Sequence, residues 1–166
     1  MNLFQQITDN YHRVNDRLVK AAHFAGRNLD EIKLIVVTKA RPIEVVRAVI
    51  ASGARYIGEN YPAEGAAKIA MVANESIEWH MIGHIQSRKA KIVCKNYAWV
   101  HSIDRIKIAN RIDQRANEYN RMMPVLLECN VSGEISKHGW PAWDENKWSE
   151  LVDTLGPLLD LDWIQV

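Results

Sequence analysis

The sequence predicts an α/β fold in which short parallel strands alternate with helices. Short runs of β-branched and other apolar residues alternate with longer segments whose apolar residues recur every three or four positions. The short runs are apolar at nearly every position, as in strands that are covered on both faces of a parallel sheet. Their carboxyl ends follow one another at intervals of about 21 to 26 residues, enough for one strand and one helix.

The first elements show each signal separately. Leu3 to Ala25 carries one apolar stripe at helical spacing, and Gly26 ends this predicted helix. Lys33 to Lys39 is the first predicted strand, because its centre is aliphatic and mostly β-branched. Pro42 then stands where the first turn of a helix tolerates proline, and Ile43 to Ser52 continues with helical spacing.

The same pattern predicts the remaining elements. Further strands are expected at residues 55–58, 78–82, 99–103, 125–131 and 161–166. Further helices are expected at residues 62–74, 87–95, 104–119 and 144–155, and a polar loop at 132–141. These steps fit an open doubly wound sheet or an eight-stranded barrel that lacks two strands, and periodicity does not separate the two. Because no linker or repeat interrupts the chain, we expect a single domain over residues 1–166.

Composition excludes several classes of protein. The 166 residues hold 21 Lys and Arg against 20 Asp and Glu, a net charge of +1 that favours neither nucleic acids nor membrane surfaces as partners. The longest aliphatic run, Leu34 to Val37, is far too short to cross a bilayer, and the first residues do not resemble a secretion signal. Cys94 and Cys129 form neither a disulfide framework nor a metal-binding pair. We therefore expect a cytoplasmic protein.

Ligands of parallel α/β folds bind at the carboxyl ends of the strands, where this sequence is polar. The residues there are Thr38, Lys39, Gly58 to Tyr61, His80, Gly83, His84, Gln86, Ser102, Asp104 and Asn130 to Gly139. Asn60 is expected to cap the helix that begins near Pro62, to line a pocket, or to do both, since the two roles are compatible, and Asp104 is expected to cap a helix. His80 and His84 share no helical face and have no third ligand nearby, so we predict no metal site.

Lys39 is the most unusual of these residues. It continues the face of Ile35 and Val37, so its amine is expected to point into the interior of the sheet or barrel. Burial of an unpaired ammonium is costly and favours the neutral amine, which condenses with aldehydes to form a Schiff base. The alternative is a lysine at the strand end whose amine forms a salt bridge with Glu59 or Glu128.

Five motifs carry a resemblance to a known family. They are, in order, Val37–Lys39, Gly58–Tyr61, Glu78–Gln86, Ser102–Asp104 and Asn130–Gly139. Together they resemble the pyridoxal phosphate homeostasis protein family, which is related to the barrel domain of alanine racemase. The resemblance implies an α/β fold of the (β/α)8 TIM-barrel type with an extra N-terminal helix. It also implies pyridoxal 5′-phosphate (PLP) bound as a Schiff base to Lys39, with Asn60 and His80 lining the cofactor pocket.

The resemblance also implies a function. Members of this family are thought to buffer or deliver PLP in vitamin B6 and amino-acid homeostasis, without robust catalysis. The partners are then PLP, amino acids and PLP-dependent apoenzymes. The alternative is a PLP-dependent enzyme such as a racemase, which needs acid–base groups on both faces of the substrate's α-carbon. This sequence has no room for the separate domain that supplies one of those groups in alanine racemase, so we predict no catalytic residue.

The sequence departs from the family at its carboxyl end. The family's chain continues beyond the position of Val166 through strands seven and eight, and the loops after these strands often hold the phosphate in barrels. We therefore expect a C-terminally incomplete barrel with about six of the eight strands, and poor affinity of this chain for PLP. The complete family fold is expected to be monomeric, whereas bare strand edges favour association.

Overall fold

The structure, a computed structural model, describes residues 2–166. Its helices are α1 (Leu3–Phe24), α2 (Ile43–Ala51), α3 (Pro62–Val72), α4 (Ala90–Asn96), α5 (Ile106–Glu118) and α6 (Trp148–Leu155). Its strands are β1 (Ile35–Val37), β2 (Tyr56–Glu59), β3 (Glu78–Met81), β4 (Trp99–Ile103), β5 (Met123–Leu127), β6 (Cys129–Asn130), β7 (Trp140–Pro141) and β8 (Ile164–Gln165). Short 3₁₀ helices occur at Leu29–Glu31, Ser87–Lys89, Glu145–Lys147 and Gly156–Asp160.

Six of the strands form one parallel sheet, in the order β1-β2-β3-β4-β5-β8. The register aligns Val37 with Gly58, Gly58 with His80, and His80 with Trp99. Strands that follow one another in this sheet are also neighbours, as in a (β/α)8 barrel. A doubly wound sheet would instead reverse its strand order at a switch point. The strand order therefore decides between the two architectures in favour of the barrel type.

The hydrophobic core lies between one face of the sheet and the helices that follow each strand. Alternate strand residues such as Ile57, Met81 and Val100 point to this core and are fully buried. On the opposite face, Val37 is 48% exposed and Leu126 is 47% exposed. The prediction that both faces of the strands are covered is therefore wrong for this second face, which is open within residues 2–166.

Helix α1 confirms the predicted N-terminal helix. Its first turn is capped by Asn2, whose Oδ1 accepts a hydrogen bond from the backbone N–H of Gln5 at 2.8 Å. The hydroxyls of Thr8 and Ser52 lie 2.9 Å apart and link α1 to the end of α2. Across the part of the chain that the structure describes, no helix combines the length and the apolar character needed to span a membrane.

The fifth predicted strand differs most from the structure. It begins at Met123, breaks after Leu127 and resumes as β6, which pairs with β7 inside the segment predicted to be a loop. Gly139 allows this return because its φ of 114° suits glycine, and a Cβ there would lie 2.7 Å from the carbonyl oxygen of Glu128. The last predicted strand is also shorter and covers Ile164–Gln165.

Candidate functional site

The carboxyl ends of β2, β3 and β4 pack tightly against one another at one edge of the sheet. Gly83 follows β3 and fits against the backbone of Asn60 so closely that a Cβ would lie 2.4 Å from the Asn60 carbonyl oxygen. The hydroxyl of Ser102 donates a hydrogen bond to the Gly83 carbonyl oxygen at 2.6 Å. This close packing requires glycine at position 83. The ends of the three strands together form the rim of the sheet.

Lys39 lies in the turn that follows β1, at this same edge, and its side chain is exposed. The expectation of a buried amine is therefore wrong. The alternative, a salt bridge with Glu59 or Glu128, is also absent: within residues 2–166, no hydrogen bond or ion pair engages the Lys39 amine. The physical reason is that this face of the sheet is open within residues 2–166, so that even Val37, inside β1, is 48% exposed.

Both peptide groups that flank Lys39 are held by side chains of α3. The carbonyl oxygen of Thr38 accepts a hydrogen bond from Nζ of Lys68 at 2.8 Å, and the N–H of Ala40 donates to Oε1 of Glu64 at 2.9 Å. Ala40 adopts a left-handed backbone conformation with a φ of 55°, which is unfavourable for alanine. The turn that carries Lys39 is therefore fixed by its neighbours and not by its own side chain.

Lys68 is the buried lysine of the site. Its Nζ contacts Oε1 of Glu59 at 2.8 Å and Oε1 of Glu64 at 2.7 Å, and the Thr38 hydroxyl donates to Glu59 at 2.6 Å. Burial alone would lower the pKa of Lys68, but the hydrogen bonds to the two carboxylates outweigh it and raise that pKa. The hydrogen bond from Lys68 lowers the pKa of Glu64. We call Thr38, Glu59, Glu64 and Lys68 the Lys68 network; at neutral pH its lysine is charged.

An inner cluster of polar and aromatic side chains lies on the open face of the sheet. Its members are Lys33, Tyr56, Glu78, His80, Trp99 and His101. Nδ1 of His80 lies 2.9 Å from Nε2 of His101, and its Nε2 lies 3.1 Å from Oε1 of Glu78. Burial, followed by the neighbouring His101, lowers the pKa of His80 to about 4, so His80 is neutral at pH 7.

Of the two residues predicted beside Lys39, Asn60 lies closer to the edge of the sheet. His80 aligns with Gly58 within the strands, two positions before Asn60, and contacts the inner cluster. Asn60 is half-buried and follows β2 directly. Its predicted role as a helix cap is wrong, because α3 is capped at Tyr61 without a side-chain hydrogen bond. No hydrogen bond to the Asn60 side chain occurs among the described residues, so its amide is available to a ligand.

Sequence reasoning missed the residues that hold the Lys39 turn. Glu64 and Lys68 are four residues apart on α3, a spacing that is typical of an exposed ion pair on a helix. The alanine-rich surroundings of Lys68 are the one signal of burial that the sequence offers. A second correction concerns Asp104, which does not cap α5: its carboxylate contacts Arg105 and His84 instead.

Comparisons with known proteins support this fold. No family model matches the chain. The pyridoxal phosphate homeostasis protein of Pseudomonas aeruginosa is 39% identical over 149 residues, which are 90% of this chain and 65% of that protein. The corresponding protein of Vibrio cholerae is 36% identical over 155 residues, 91% of this chain and 66% of its own length. The chain therefore spans a little less than two thirds of the length of these curated relatives.

Solved structures give the same result. An unknown protein from Bifidobacterium adolescentis superposes with a TM-score of 0.77 at 36% identity, over 98% of this chain and 68% of its own. PipY from Synechococcus elongatus, in a structure with PLP bound, has a TM-score of 0.72 at 28% identity, over 90% of this chain and 66% of its own. Alanine racemase from Clostridium difficile has a TM-score of 0.68 over 95% of this chain and 38% of its own, at 18% identity, which bears on the fold alone. The predicted barrel type is confirmed.

Proposed function

Because this chain belongs to the family of the pyridoxal phosphate homeostasis proteins, we propose that it holds PLP covalently on Lys39 and acts in vitamin B6 and amino-acid homeostasis. The observation that carries the proposal is the exposed amine of Lys39, which no residue among 2–166 engages, on a turn whose two flanking peptide groups are fixed. Such an amine reaches a ligand without first breaking an ion pair. Residues 1–166 then act as one cofactor-binding barrel unit.

The surroundings of Lys39 fit an aldehyde cofactor. Lys39 would hold PLP through its Nζ, because the aldehyde of PLP would condense with this amine to a C=N bond, with loss of one water and no change in oxidation state. The amide of Asn60 offers both a donor and an acceptor at the rim. His80 is neutral and lies deeper on the open face, so we place it beneath the ligand as a polar contact and not as a charge. When bound, PLP supplies the aldehyde and an anionic phosphate.

We further propose that the protein buffers or delivers PLP, with amino acids and PLP-dependent apoenzymes as its partners. A racemase would need two acid–base groups on opposite sides of a substrate carbon. The two titratable side chains that hold the Lys39 turn, Glu64 and Lys68, are bound to one another and to the backbone. We also propose a cytoplasmic location, which the free thiols of Cys94 and Cys129 support because reducing compartments keep thiols unpaired.

Borohydride trapping of the full-length protein tests the proposal. PLP is added, the C=N bond is reduced, and the intact mass and the modified peptide are determined. We expect one reduced pyridoxyl phosphate group per chain, located on Lys39, and its loss in Lys39→Ala with an unchanged circular dichroism spectrum. Lys137→Ala removes an exposed lysine near the same edge and should retain the adduct. An adduct that persists at equal yield in Lys39→Ala contradicts the proposal.

A second measurement distinguishes buffering from catalysis. The full-length protein with PLP is incubated with L-alanine or L-serine, and the D-isomer is quantified by chiral chromatography. We expect a rate no higher than that of free PLP. A rate well above free PLP that disappears in Lys39→Ala would assign the site to a racemase instead.

A further inference from the structure

Three potential metal ligands come together at the carboxyl edge of the sheet, on segments other than the one that carries Lys39. They are His84 after β3, Asp104 after β4 and His138 in the loop between β6 and β7. Each offers one donor atom, and the three donor atoms lie within 4.8 Å of one another. The residues are 20 and 34 positions apart in the sequence, so only the fold brings them together.

The carboxylate at the centre of this group is fixed in place. The Asp104 side chain is 5% exposed, and its Oδ2 lies 3.0 Å from Nδ1 of His84. Nη1 of Arg105 donates a hydrogen bond to the same oxygen at 2.6 Å, and its Nη2 donates one to the carbonyl oxygen of Ile85 at 3.0 Å. A hydrogen-bonded partner of this kind orients carboxylate ligands in metal sites.

The segments that carry the two histidines are anchored to the sheet, and the two rings contact one another. His84 follows Gly83, whose carbonyl oxygen is held by Ser102. His138 stacks on His84 with ring centroids 4.3 Å apart. Trp140, two residues after His138, anchors this segment to the sheet, because its indole N–H donates a hydrogen bond to the Ile103 carbonyl oxygen at 2.8 Å. The third ligand is thus on a loop that is anchored two residues away.

We propose that His84, Asp104 and His138 bind a divalent transition-metal ion such as Zn²⁺. Two imidazoles and one carboxylate match the preferences of Zn²⁺, Co²⁺ and Ni²⁺, whereas Mg²⁺ and Ca²⁺ prefer oxygen ligands alone. Ligand atoms bind Zn²⁺ at about 2.0 to 2.2 Å, so the donors need to approach one another by small side-chain rotations. His84 and His138 face solvent, which leaves a coordination position for water or another ligand.

Cobalt substitution tests this site without PLP, so its result is independent of the proposed cofactor role. The full-length protein, freed of any histidine tag, is titrated with Co²⁺, and visible absorption and equilibrium dialysis with Zn²⁺ report binding. We expect one ion per chain. Substitutions of residues that only support metal ligands weaken metal affinity about 10- to 100-fold. Each of His84→Ala, His138→Ala and Asp104→Asn should weaken it more than that.

His12→Ala is the matched control, because His12 is an exposed histidine on α1. It should leave the stoichiometry and the affinity unchanged. The two exposed histidines of the site can be replaced without disturbing the core, so the test remains decisive if Asp104→Asn fails to fold. Absence of Co²⁺ and Zn²⁺ binding, or binding that survives in both His84→Ala and His138→Ala, would show that the group is only an ion pair with a stacked ring.

Discussion

Lys39 and Lys68 have surroundings that are the reverse of what their positions in the sequence indicate. Strand alternation assigns Lys39 to the interior, yet its side chain is exposed because that face of the sheet is open within residues 2–166. Lys68 stands at a spacing typical of a solvated helix face, yet it is 6% exposed and bonded to Glu59. Sequence reasoning singled out Lys39 and missed Lys68, because burial of a single helix position depends on which neighbour packs there.

Replacement of Lys68 should destabilise the protein. Lys68→Met leaves Glu59, which is fully buried, without its cation, and an uncompensated buried charge costs about 3 to 5 kcal/mol. Urea unfolding measures the loss. The double variant Glu59→Gln/Lys68→Met removes both charges and should recover part of it. Lys95→Met, at an exposed position of α4, serves as the control and should change stability little. Equal effects at positions 68 and 95 would refute the role of this ion pair.

At the scale of elements, α3 shows how a small residue determines where the helix sits. Gly65 lies under Tyr97, and a Cβ on Gly65 would come within 2.0 Å of the Tyr97 hydroxyl oxygen and 3.0 Å of Cβ of Glu59. That hydroxyl donates to the carbonyl oxygen of Pro62 at 3.1 Å. The absence of a Cβ at Gly65 thus lets α3 approach both Tyr97 and Glu59 closely.

Gly65→Ala should therefore lower stability by roughly 1 to 3 kcal/mol, as overpacking of a core does, in spite of the better helix propensity of alanine. Tyr97→Phe removes the obstructing oxygen, so the double variant should be more stable than the sum of the single changes indicates. Gly156→Ala is the control, because a Cβ on Gly156 would have no other atom within 4 Å, and it should be neutral or slightly stabilising. Thermal unfolding of the wild type and the four variants gives the comparison; additive effects of the changes at positions 65 and 97 would rule out this contact.

The order and type of the main elements could be predicted from the sequence, whereas the ends of several strands could not. The alternation of β-branched runs with helical spacing is a local property that the structure keeps from β1 to β5. The pairing of β6 with β7 depends on a backbone approach at Gly139 that no periodicity records. For the same reason, the group of His84, Asp104 and His138 could not be found before the fold was known.

At the scale of the whole molecule, the inner cluster links three neighbouring strands and makes stability depend on pH. His80 has a pKa of about 4 in the folded protein, against about 6.5 in the unfolded chain. The unfolded chain therefore binds a proton first as the pH falls. This contribution to stability is fully present above pH 6.5 and is lost as the pH falls towards about 4.

The free energy of unfolding should thus fall between pH 7 and pH 5 more steeply in the wild-type protein than in His80→Gln. Carboxylates titrate in both proteins, so their contribution to the pH dependence largely cancels in the difference between the two curves. His23→Gln, at an exposed position of α1, should follow the wild-type curve. Parallel curves for the wild type and His80→Gln would show that His80 is not held neutral by its surroundings.

The hydrogen bonds from side chains of α3 to the peptide groups around Lys39 would have a thermodynamic consequence for the binding and release of the proposed cofactor. The backbone of this turn loses its freedom when the chain folds. Under the proposed function, an aldehyde bound to Lys39 would therefore immobilise only the lysine side chain, at a cost of no more than about 2 kcal/mol. The residence time of PLP on Lys39 would then depend on residues that need not contact it. A substitution at Glu64 or Lys68 would loosen the turn and shorten the lifetime of the proposed C=N bond.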